Sequence, residues 1–218
     1  MKTNRYILTS LLLVGGITLA QKGNLKRVNK LFEMRAYNEA AEVYETKERS
    51  QEVLQNLADS YFYNTNLQKA IKTYRELFLT FGDSIDIEYN FRYGQALKGV
   101  RDYKEADKQL SRYFNKRVNT NAFIEALEKT TPHVFKLKEI DIATVGSDFG
   151  LSFYGDDKVA FASTRNTNAP NYAWNGLPYL DLYYATLNKD GKMENITAFS
   201  DVINTESHES NAIFSKDG

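Results

Sequence analysis

The 218-residue sequence contains no cysteine. Disulfides, thiolate nucleophiles and cysteine-ligated zinc sites are therefore excluded. Histidine occurs only as His133 and His208, and the chain has no His-Glu-x-x-His motif, Gly-x-Ser-x-Gly elbow or phosphate-binding glycine loop. We therefore predict no catalytic, cofactor-binding or metal-binding residue, and we expect a protein that is not an enzyme.

An excess of charge of one sign is also lacking, because 28 lysines and arginines balance 28 aspartates and glutamates. This balance provides no concentrated positive field for phosphates, and we expect no nucleic-acid partner. Only 3 prolines and 12 glycines occur, while 42% of the residues are hydrophobic. Such a composition predicts a chain that folds around apolar cores.

The N-terminus has the pattern of an export signal. Lys2 and Arg5 precede the mostly apolar run Ile7 to Ile17, and Thr18-Leu19-Ala20 supplies a short residue and a small one before a cleavage site. The run is shorter than the roughly 20 residues of a membrane-spanning helix. We predict a signal peptide over residues 1–20, cleavage after Ala20 and no transmembrane helix in the mature chain; an uncleaved anchor or a buried helix is the alternative.

A short phrase recurs three times in the N-terminal half. Its alanines, 30 and 36 residues apart, are Ala40, Ala70 and Ala106. Twelve residues before the second and third alanines lie Ala58 and Gly94, and small residues at such positions let two helices pack closely. The pattern resembles the tetratricopeptide repeat, whose period is about 34 residues. It predicts an all-α helical-repeat domain over residues 21–131.

Details of this array follow from the same phrase. Asn38, Asn66 and Asp102 lie before the alanines as turn or N-cap residues. The first repeat is the weakest, because Val28 occupies its small position and the spacing of 30 implies a shortened second helix. A further helix is predicted from Asn121 to Lys129, where it caps the stack.

The tetratricopeptide resemblance implies a concave groove that binds a peptide or a partner surface. By the geometry of that family, its lining residues are Glu52, Gln55, Asp59, Phe62, Glu88, Phe91, Gln95 and Lys98. Each position taken singly is also compatible with an ordinary exposed helix residue. We predict the groove for the set as a whole.

After Pro132 the pattern changes from a helical period to alternation. The predicted strands are Phe149–Tyr154, Lys158–Thr164, Asp181–Leu187 and Met193–Phe199. The turn residues Gly155-Asp156-Asp157 separate the first two, and Asn188 to Gly191 separates the last two. Four short antiparallel strands make one propeller blade.

The strand region contains phrases that resemble WD40-like propeller repeats of the TolB type (PD40). They are Asp148-Phe149-Gly150, Phe161-Ala162-Ser163-Thr164-Arg165, Asp181-Leu182-Tyr183, Ile203-Asn204-Thr205, His208-Glu209-Ser210 and Phe214-Ser215-Lys216-Asp217-Gly218. One blade cannot close a propeller. We therefore expect residues 132–218 to form the first part of an incomplete β-propeller, and the sequence to be the N-terminal piece of a longer protein.

The combination of export signal, helical repeats and propeller phrases resembles the OmpA-family, peptidoglycan-associated proteins linked to type IX secretion or gliding. This resemblance implies a periplasmic, outer-membrane-associated scaffold that links a secretion or motility complex to the cell wall. Its partners would be an outer-membrane β-barrel protein and, through a C-terminal domain absent from this sequence, peptidoglycan. The alternatives are a propeller-gated peptidase with its catalytic domain beyond residue 218, and a periplasmic peptide-binding chaperone.

The long segment between the second and third strands, residues 166–178, is the other candidate binding element. It includes Tyr172 and Trp174, and long loops on rigid scaffolds often bind partners. The alternative is that both rings fold back on the blade. Arg165, just before this segment, either braces the blade or contacts a partner, and His208-Glu209 is expected to be structural.

Overall fold

The computed structural model describes residues 25–130 and 144–215. They form two compact units, a helical unit of residues 25–130 with Ala173–Asn175, and a sheet unit of the remaining described residues. The architecture is therefore α + β, with helices that precede the strands as predicted. The predicted signal peptide lies outside the described residues, as does His133.

The helical unit contains seven helices in its described part. They are α1 (25–33), α2 (Tyr37–Glu45), α3 (Gln51–Tyr63), α4 (Leu67–Phe81), α5 (Glu88–Gly99), α6 (Tyr103–Phe114) and α7 (Thr120–Thr130). α2 has 9 residues, whereas α4 has 15, which confirms the shortened second helix of the first repeat. A short 3₁₀ turn, Gly82–Ser84, follows α4.

The turns inside the helix pairs α1/α2, α3/α4 and α5/α6 share one backbone conformation, which also occurs after α6 at Asn115 (48°). Each has a residue with positive φ: Arg35 (61°), Thr65 (57°) and Arg101 (64°). The backbone N–H of the next residue donates to the carbonyl five residues earlier, in the bonds Ala36 to Leu31 (2.9 Å), Asn66 to Tyr61 (2.9 Å) and Asp102 to Leu97 (3.0 Å). This Schellman arrangement ends a helix sharply. The left-handed residues inside the three pairs have the same spacing as the repeated alanines.

Replacing Thr65 with glycine should raise the free energy of unfolding of the helical unit by about 0.5–1 kcal/mol. A left-handed conformation costs an L-residue roughly 1–2 kcal/mol, and glycine's greater freedom in the unfolded chain offsets part of that gain. Urea unfolding followed by the emission of Trp174, the chain's only tryptophan and part of this unit, measures the change. Thr46→Gly is the control, because Thr46 ends α2 with φ −87° and should lose stability. Equal effects of the two substitutions would contradict the prediction.

The predicted N-caps are confirmed in two turns and wrong in the third. Asn66 Oδ1 accepts from the Lys69 backbone N–H (3.4 Å), and Asp102 Oδ1 accepts from that of Glu105 (3.3 Å). The N-cap of α2 is instead Ala36, with no side-chain hydrogen bond. Asn38 lies inside the helix and donates to Glu42 Oε1 (3.1 Å). The residue 30 positions before Asn66 is Ala36, whose side chain has no hydrogen-bond acceptor.

The core of the helical unit is built around the predicted small residues. Ala40, Ala58, Ala70 and Ala106 are all fully buried. At Gly94 an added Cβ would lie 2.7 Å from Leu110 Cγ, so α5 and α6 approach closely because this position has no side chain. The large residues that fill the space beside them include Tyr44, Leu54, Tyr74 and Leu77, which are also fully buried.

The sheet unit is a four-stranded antiparallel meander in the order β1-β2-β3-β4. Its strands are β1 (Asp148–Tyr154), β2 (Lys158–Ser163), β3 (Asp181–Leu187) and β4 (Met193–Ala198). All four predicted strands are confirmed within one residue at each end. Tyr154 pairs with Lys158 across the predicted turn, and a register shift between Phe149 and Ser152 interrupts β1.

Both faces of the sheet carry apolar side chains. One face holds the cluster Val159, Phe161, Tyr183, Ala185 and Met193. The other holds the rings of Tyr154, Tyr184, Phe199 and Phe214, whose nearest centroids are 4.5 Å apart. Every residue of β2 from Val159 to Ser163 is buried. Near-continuous burial is typical of strands covered on both faces.

Candidate binding surface of the helical unit

The eight predicted groove residues lie on two helices, four on α3 and four on α5. Glu52 and Glu88 are exposed, and five others are half-buried, namely Gln55, Phe62, Phe91, Gln95 and Lys98. Asp59 differs from the rest, because only 3% of its surface is exposed. The structure therefore places seven of the eight at least partly in solvent and encloses one.

Asp59 is enclosed by a polar triad that joins three helices. Its Oδ1 accepts from the hydroxyl of Tyr74 on α4 (2.6 Å), and its Oδ2 accepts from Nη1 of Arg92 on α5 (2.5 Å). Burial raises the pKa of Asp59, and the hydrogen bonds and the Arg92 charge act against that rise. Because a buried carboxylate needs such partners, Arg92 and Tyr74 hold the groove helices together at this point.

A neutral version of this triad occurs one repeat earlier. The hydroxyl of Tyr44 on α2 donates to Asn29 Oδ1 on α1 (2.6 Å) and accepts from Asn56 Nδ2 on α3 (3.0 Å). Asn29 and Tyr44 precede Asp59 and Tyr74 by 30 residues, and Asn56 precedes Arg92 by 36. The two triads therefore occupy equivalent sequence positions. Each contains a tyrosine, joined by two amides in the first triad and by an ion pair in the second.

Aromatic rings surround the charged triad. The Arg92 guanidinium lies 5.1 Å from the ring centroid of Tyr89, a cation–π distance. Burial lowers the pKa of Arg92, but the charge of Asp59 and the nearby tyrosines outweigh it, so the pKa lies above its ordinary value. Burial, followed by the Asp59 charge, raises the pKa of Tyr89 to about 12. Arg92 therefore stays protonated and Tyr89 neutral at physiological pH.

A second aromatic group lies where α5 meets α6. Phe91 packs on Tyr113 and Phe114, with ring centroids 5.0 and 6.3 Å away, and Phe114 is 46% exposed. The Tyr113 hydroxyl donates to Glu88 Oε1 (3.2 Å). Two predicted groove residues, Phe91 and Glu88, are thus held by contacts with α6. The result is a cluster of three aromatic rings with the Glu88 carboxylate at its edge.

The predictions from the sequence do not include the contacts that Arg92 and Tyr113 make here, nor the hydrogen bond from the buried Tyr74 hydroxyl to Asp59. Arg92 and Asp59 are separated by 33 residues, about one repeat length. An acid on α3 and a base on α5, each the first helix of its repeat, lie at that spacing, and the sequence alone could have indicated an ion pair between them. The recurrence of the Asn29, Tyr44 and Asn56 positions one repeat later would have strengthened that indication.

Trp174 belongs to the helical unit. Its indole Nε1 donates to the carbonyl of Tyr63 (3.2 Å), its ring meets that of Tyr37 edge-on at 5.1 Å, and its carbonyl accepts from the Asn38 backbone N–H (3.0 Å). Tyr63 ends α3 and Asn38 lies in the first turn of α2, so both are groups that helix ends leave unpaired. The alternative that both rings fold back on the blade does not hold for Trp174, because its ring packs on helical-unit residues.

Tyr172 belongs to the sheet unit, where it contacts another ring. Its centroid is 4.7 Å from the imidazole of His208, which also lies 4.2 Å from the ring of Tyr179. His208 Nδ1 accepts from the Leu180 backbone N–H (3.1 Å). These contacts support a structural role for His208, as expected, and Tyr172 remains 37% exposed.

Arg165 braces the sheet, which is one of the two roles considered for it. Its Nη2 donates to Asp148 Oδ1 (3.0 Å), and its guanidinium lies 5.0 Å from the rings of Phe161 and Tyr183. Asp148 Oδ2 also accepts from the backbone N–H and hydroxyl of Thr144 (2.8 and 2.9 Å). Burial raises the pKa of Asp148, but these hydrogen bonds and one from Ser163 hold it below its ordinary value.

Asp148→Asn should destabilise the sheet unit by about 1–3 kcal/mol at pH 7, the contribution of hydrogen bonds to a charged group. Because the folded-state pKa is lowered, the carboxylate's contribution is present above the unfolded value of 3.8 and is lost as the pH falls through the lower folded value. The difference between wild type and variant should therefore shrink below about pH 4. Urea unfolding at a series of pH values measures it, with hydrogen exchange of β2 peptides as the readout. Asp156→Asn in the exposed turn is the control, and a difference independent of pH would contradict the prediction.

Comparison of the chain with protein-family models and with curated proteins gives no match to either. Over residues 25–130 and 144–215, no group of three or more potential metal ligands is present. In the same residues, no helix has the length and apolar character needed to cross a bilayer. What the structure does establish is the fold class, a helical array followed along the chain by an antiparallel four-stranded sheet.

Proposed function

We propose that this protein is an exported, non-enzymatic scaffold whose helical unit binds a partner protein through the groove residues of α3 and α5. The observation that carries the proposal is the polar triad of Asp59, Tyr74 and Arg92. It fixes the two groove helices against each other, and Gln55, Gln95 and Lys98 on these helices are half-buried. Rigid surfaces rich in aromatic residues and arginine are typical of protein interfaces.

The helical unit is proposed to be a tetratricopeptide array. The repeated turns and the buried alanines support this, because each recurs at 30 and then 36 residues. The two triads support it as well, because the members of the second follow those of the first by 30 or 36 residues. The sheet unit is proposed to be the first blade of a WD40-like, TolB-type propeller. Its meander order and its apolar side chains on both faces support this, since a blade is covered by a neighbour on each side.

The proposed location is the periplasm, in association with the outer membrane, and the proposed partner is an outer-membrane β-barrel protein of a secretion or motility complex. Attachment to peptidoglycan would come from a domain that this sequence does not contain. The basic, apolar and small-residue pattern of residues 1–20 supports export.

Site-specific photo-cross-linking in the source cells tests the proposal. A photoreactive residue at Gln55 or Gln95 should capture one outer-membrane protein. Gln68 and Lys104 are exposed on the second helices α4 and α6 and provide matched control positions, at which we expect little capture of that protein. Equal capture at all four positions would contradict the groove. Capture of many unrelated exported proteins at the groove positions would instead favour a chaperone.

Export is tested separately by the N-terminus of the purified mature protein. We expect it to begin at Gln21 and the protein to fractionate with the periplasm and outer membrane. An intact Met1 on a protein found in the cytoplasm would overturn the location, whatever the cross-linking shows.

A further inference from the structure

A cleft of about 520 Å³ lies in the helical unit, where the end of α4 and the following turn face α5 and α6. Its lining residues are Phe78, Gly82, Ile85, Ile87, Asn90 and Arg112. None of them belongs to the predicted groove. The volume lies within the range of about 300–1,000 Å³ that small-ligand and peptide-anchor sites occupy.

The walls of the cleft are mostly aliphatic or aromatic. Ile85 is buried and Phe78 is partly buried against the core, whereas Ile87 is 49% exposed. Gly82 has φ 54° and ψ −125°, a conformation that favours glycine, and an added Cβ there would meet no atom within 4 Å. The turn after α4 therefore leaves open space beside exposed apolar surface.

Two polar side chains complete the lining. Asn90 is buried and fixed by a hydrogen bond from its Nδ2 to Gln109 Oε1 (2.9 Å). Arg112, in the last turn of α6, is exposed. No hydrogen bond, ion pair or ring contact with another residue is present at the Arg112 guanidinium in the described part of the chain. An apolar cleft is thus joined to a guanidinium that forms no ion pair with any side chain that the structure describes.

Two acidic residues on either side of Ile87 accept hydrogen bonds of their own. Glu88 Oε1 accepts from the Tyr113 hydroxyl, and Asp86 Oδ1 accepts from the Glu88 backbone N–H (2.9 Å). Arginine presents a planar fork of donors that matches a carboxylate. A carboxylate is therefore the ligand group that fits the exposed Arg112 guanidinium.

We propose that this cleft binds a partner segment in which a glutamate or aspartate is flanked by aliphatic residues. The carboxylate pairs with Arg112, and the aliphatic side chains lie on Ile85, Ile87 and Phe78. This inference goes beyond the proposed groove, because the two surfaces share no residue. It can be tested on the purified chain alone, independently of export and of the outer-membrane partner.

Fluorescence anisotropy with the whole mature chain tests the proposal. The probe is a fluorescein-labelled peptide, Gly-Ser-Ile-Glu-Leu-Ser-Gly-amide, and its matched forms carry Gln for Glu, or Ser for both Ile and Leu. Wild type should bind the first peptide about five- to tenfold more tightly than the Gln form, as expected for a hydrogen-bonded charge pair. The Ser form should bind more weakly than either.

Two variants and one control then assign the contact. Arg112→Gln should bind the Glu and Gln peptides equally, because the partner of the carboxylate is gone. Ile87→Ser should weaken both peptides and keep the preference for Glu. Lys104→Gln removes one positive charge from the same helix away from the cleft, and it should leave the affinities unchanged.

Three outcomes would overturn the proposal. They are the absence of binding by wild type at millimolar protein, an undiminished preference for Glu in Arg112→Gln, and a loss in Lys104→Gln that equals the loss in Arg112→Gln. The last outcome would show general electrostatic attraction in place of a site. Thermal melting of each variant separates these results from unfolding, which we do not expect because Arg112, Ile87 and Lys104 are all exposed.

Discussion

Replacing Asp59 with alanine should lower the free energy of unfolding of the helical unit by about 3–5 kcal/mol, the cost of removing one partner from a buried ion pair. The substitution leaves the fully buried Tyr74 hydroxyl and the Arg92 guanidinium, whose side chain is 26% exposed, without their shared acceptor. Urea unfolding followed by Trp174 emission measures the loss. Hydrogen exchange of α3 and α5 peptides locates it.

The chain itself offers the matched variant for this test. The double substitution Asp59→Asn with Arg92→Asn converts the charged triad to the neutral arrangement that Asn29, Tyr44 and Asn56 already make one repeat earlier. We expect the double variant to lose less stability than Asp59→Ala, because no charge is left unpaired. A double variant that is as unstable as Asp59→Ala would mean that the charges themselves, and not the pairing of polar groups, stabilise this site.

Replacing Gly94 with leucine should destabilise the helical unit by about 2–3 kcal/mol, as overpacking of a close helix contact does. Even a methyl group at this position would lie 2.7 Å from Leu110 Cγ and 3.4 Å from the Ala106 carbonyl oxygen. A leucine side chain must therefore push α5 away from α6 or displace Leu110 from its buried position. The same urea unfolding experiment measures the effect.

Leu110→Ala provides the compensating change. Alone, it should cost about 2–5 kcal/mol through the cavity that it leaves. In the Gly94→Leu background it should cost less, because the added side chain occupies the vacated space. If the two losses were additive within about 0.5 kcal/mol, the close contact between these positions would not determine the packing of α5 on α6.

Local pattern was sufficient to predict the helices and strands. The small residues at Ala58, Ala70 and Ala106 are visible in the sequence because their spacing reflects the contact they make, and all three are fully buried. The strands were predicted nearly to the residue, because alternation and the turn glycines Gly155 and Gly191 are properties of a few adjacent residues. Both turn glycines have positive φ, as such turns require.

Features that depend on distant residues were not predictable in the same way. Family geometry predicts Asp59 in the groove, yet it is buried, and its partner Arg92 lies 33 residues later. Trp174 contacts a carbonyl 111 residues earlier, and no local pattern specifies that pairing. The place of Asn38 just before the alanine predicts a turn or N-cap residue, but the N-cap of α2 is Ala36, two residues earlier. Because the repeats are spaced by 30 and then 36 residues, a search with one fixed period does not align such equivalent positions.

The two triads also determine which repeats can be neighbours. A repeat that presents Asp59 and Tyr74 needs a following helix with a cation at the Arg92 position, whereas one that presents Asn29 and Tyr44 needs an amide at the Asn56 position. Docking the helices in the wrong order would leave a carboxylate or a guanidinium buried without its counter-ion. Repeated helix pairs in one chain can pair wrongly during folding. The difference in charge between the two triads therefore favours the native order of the helix pairs over other orders.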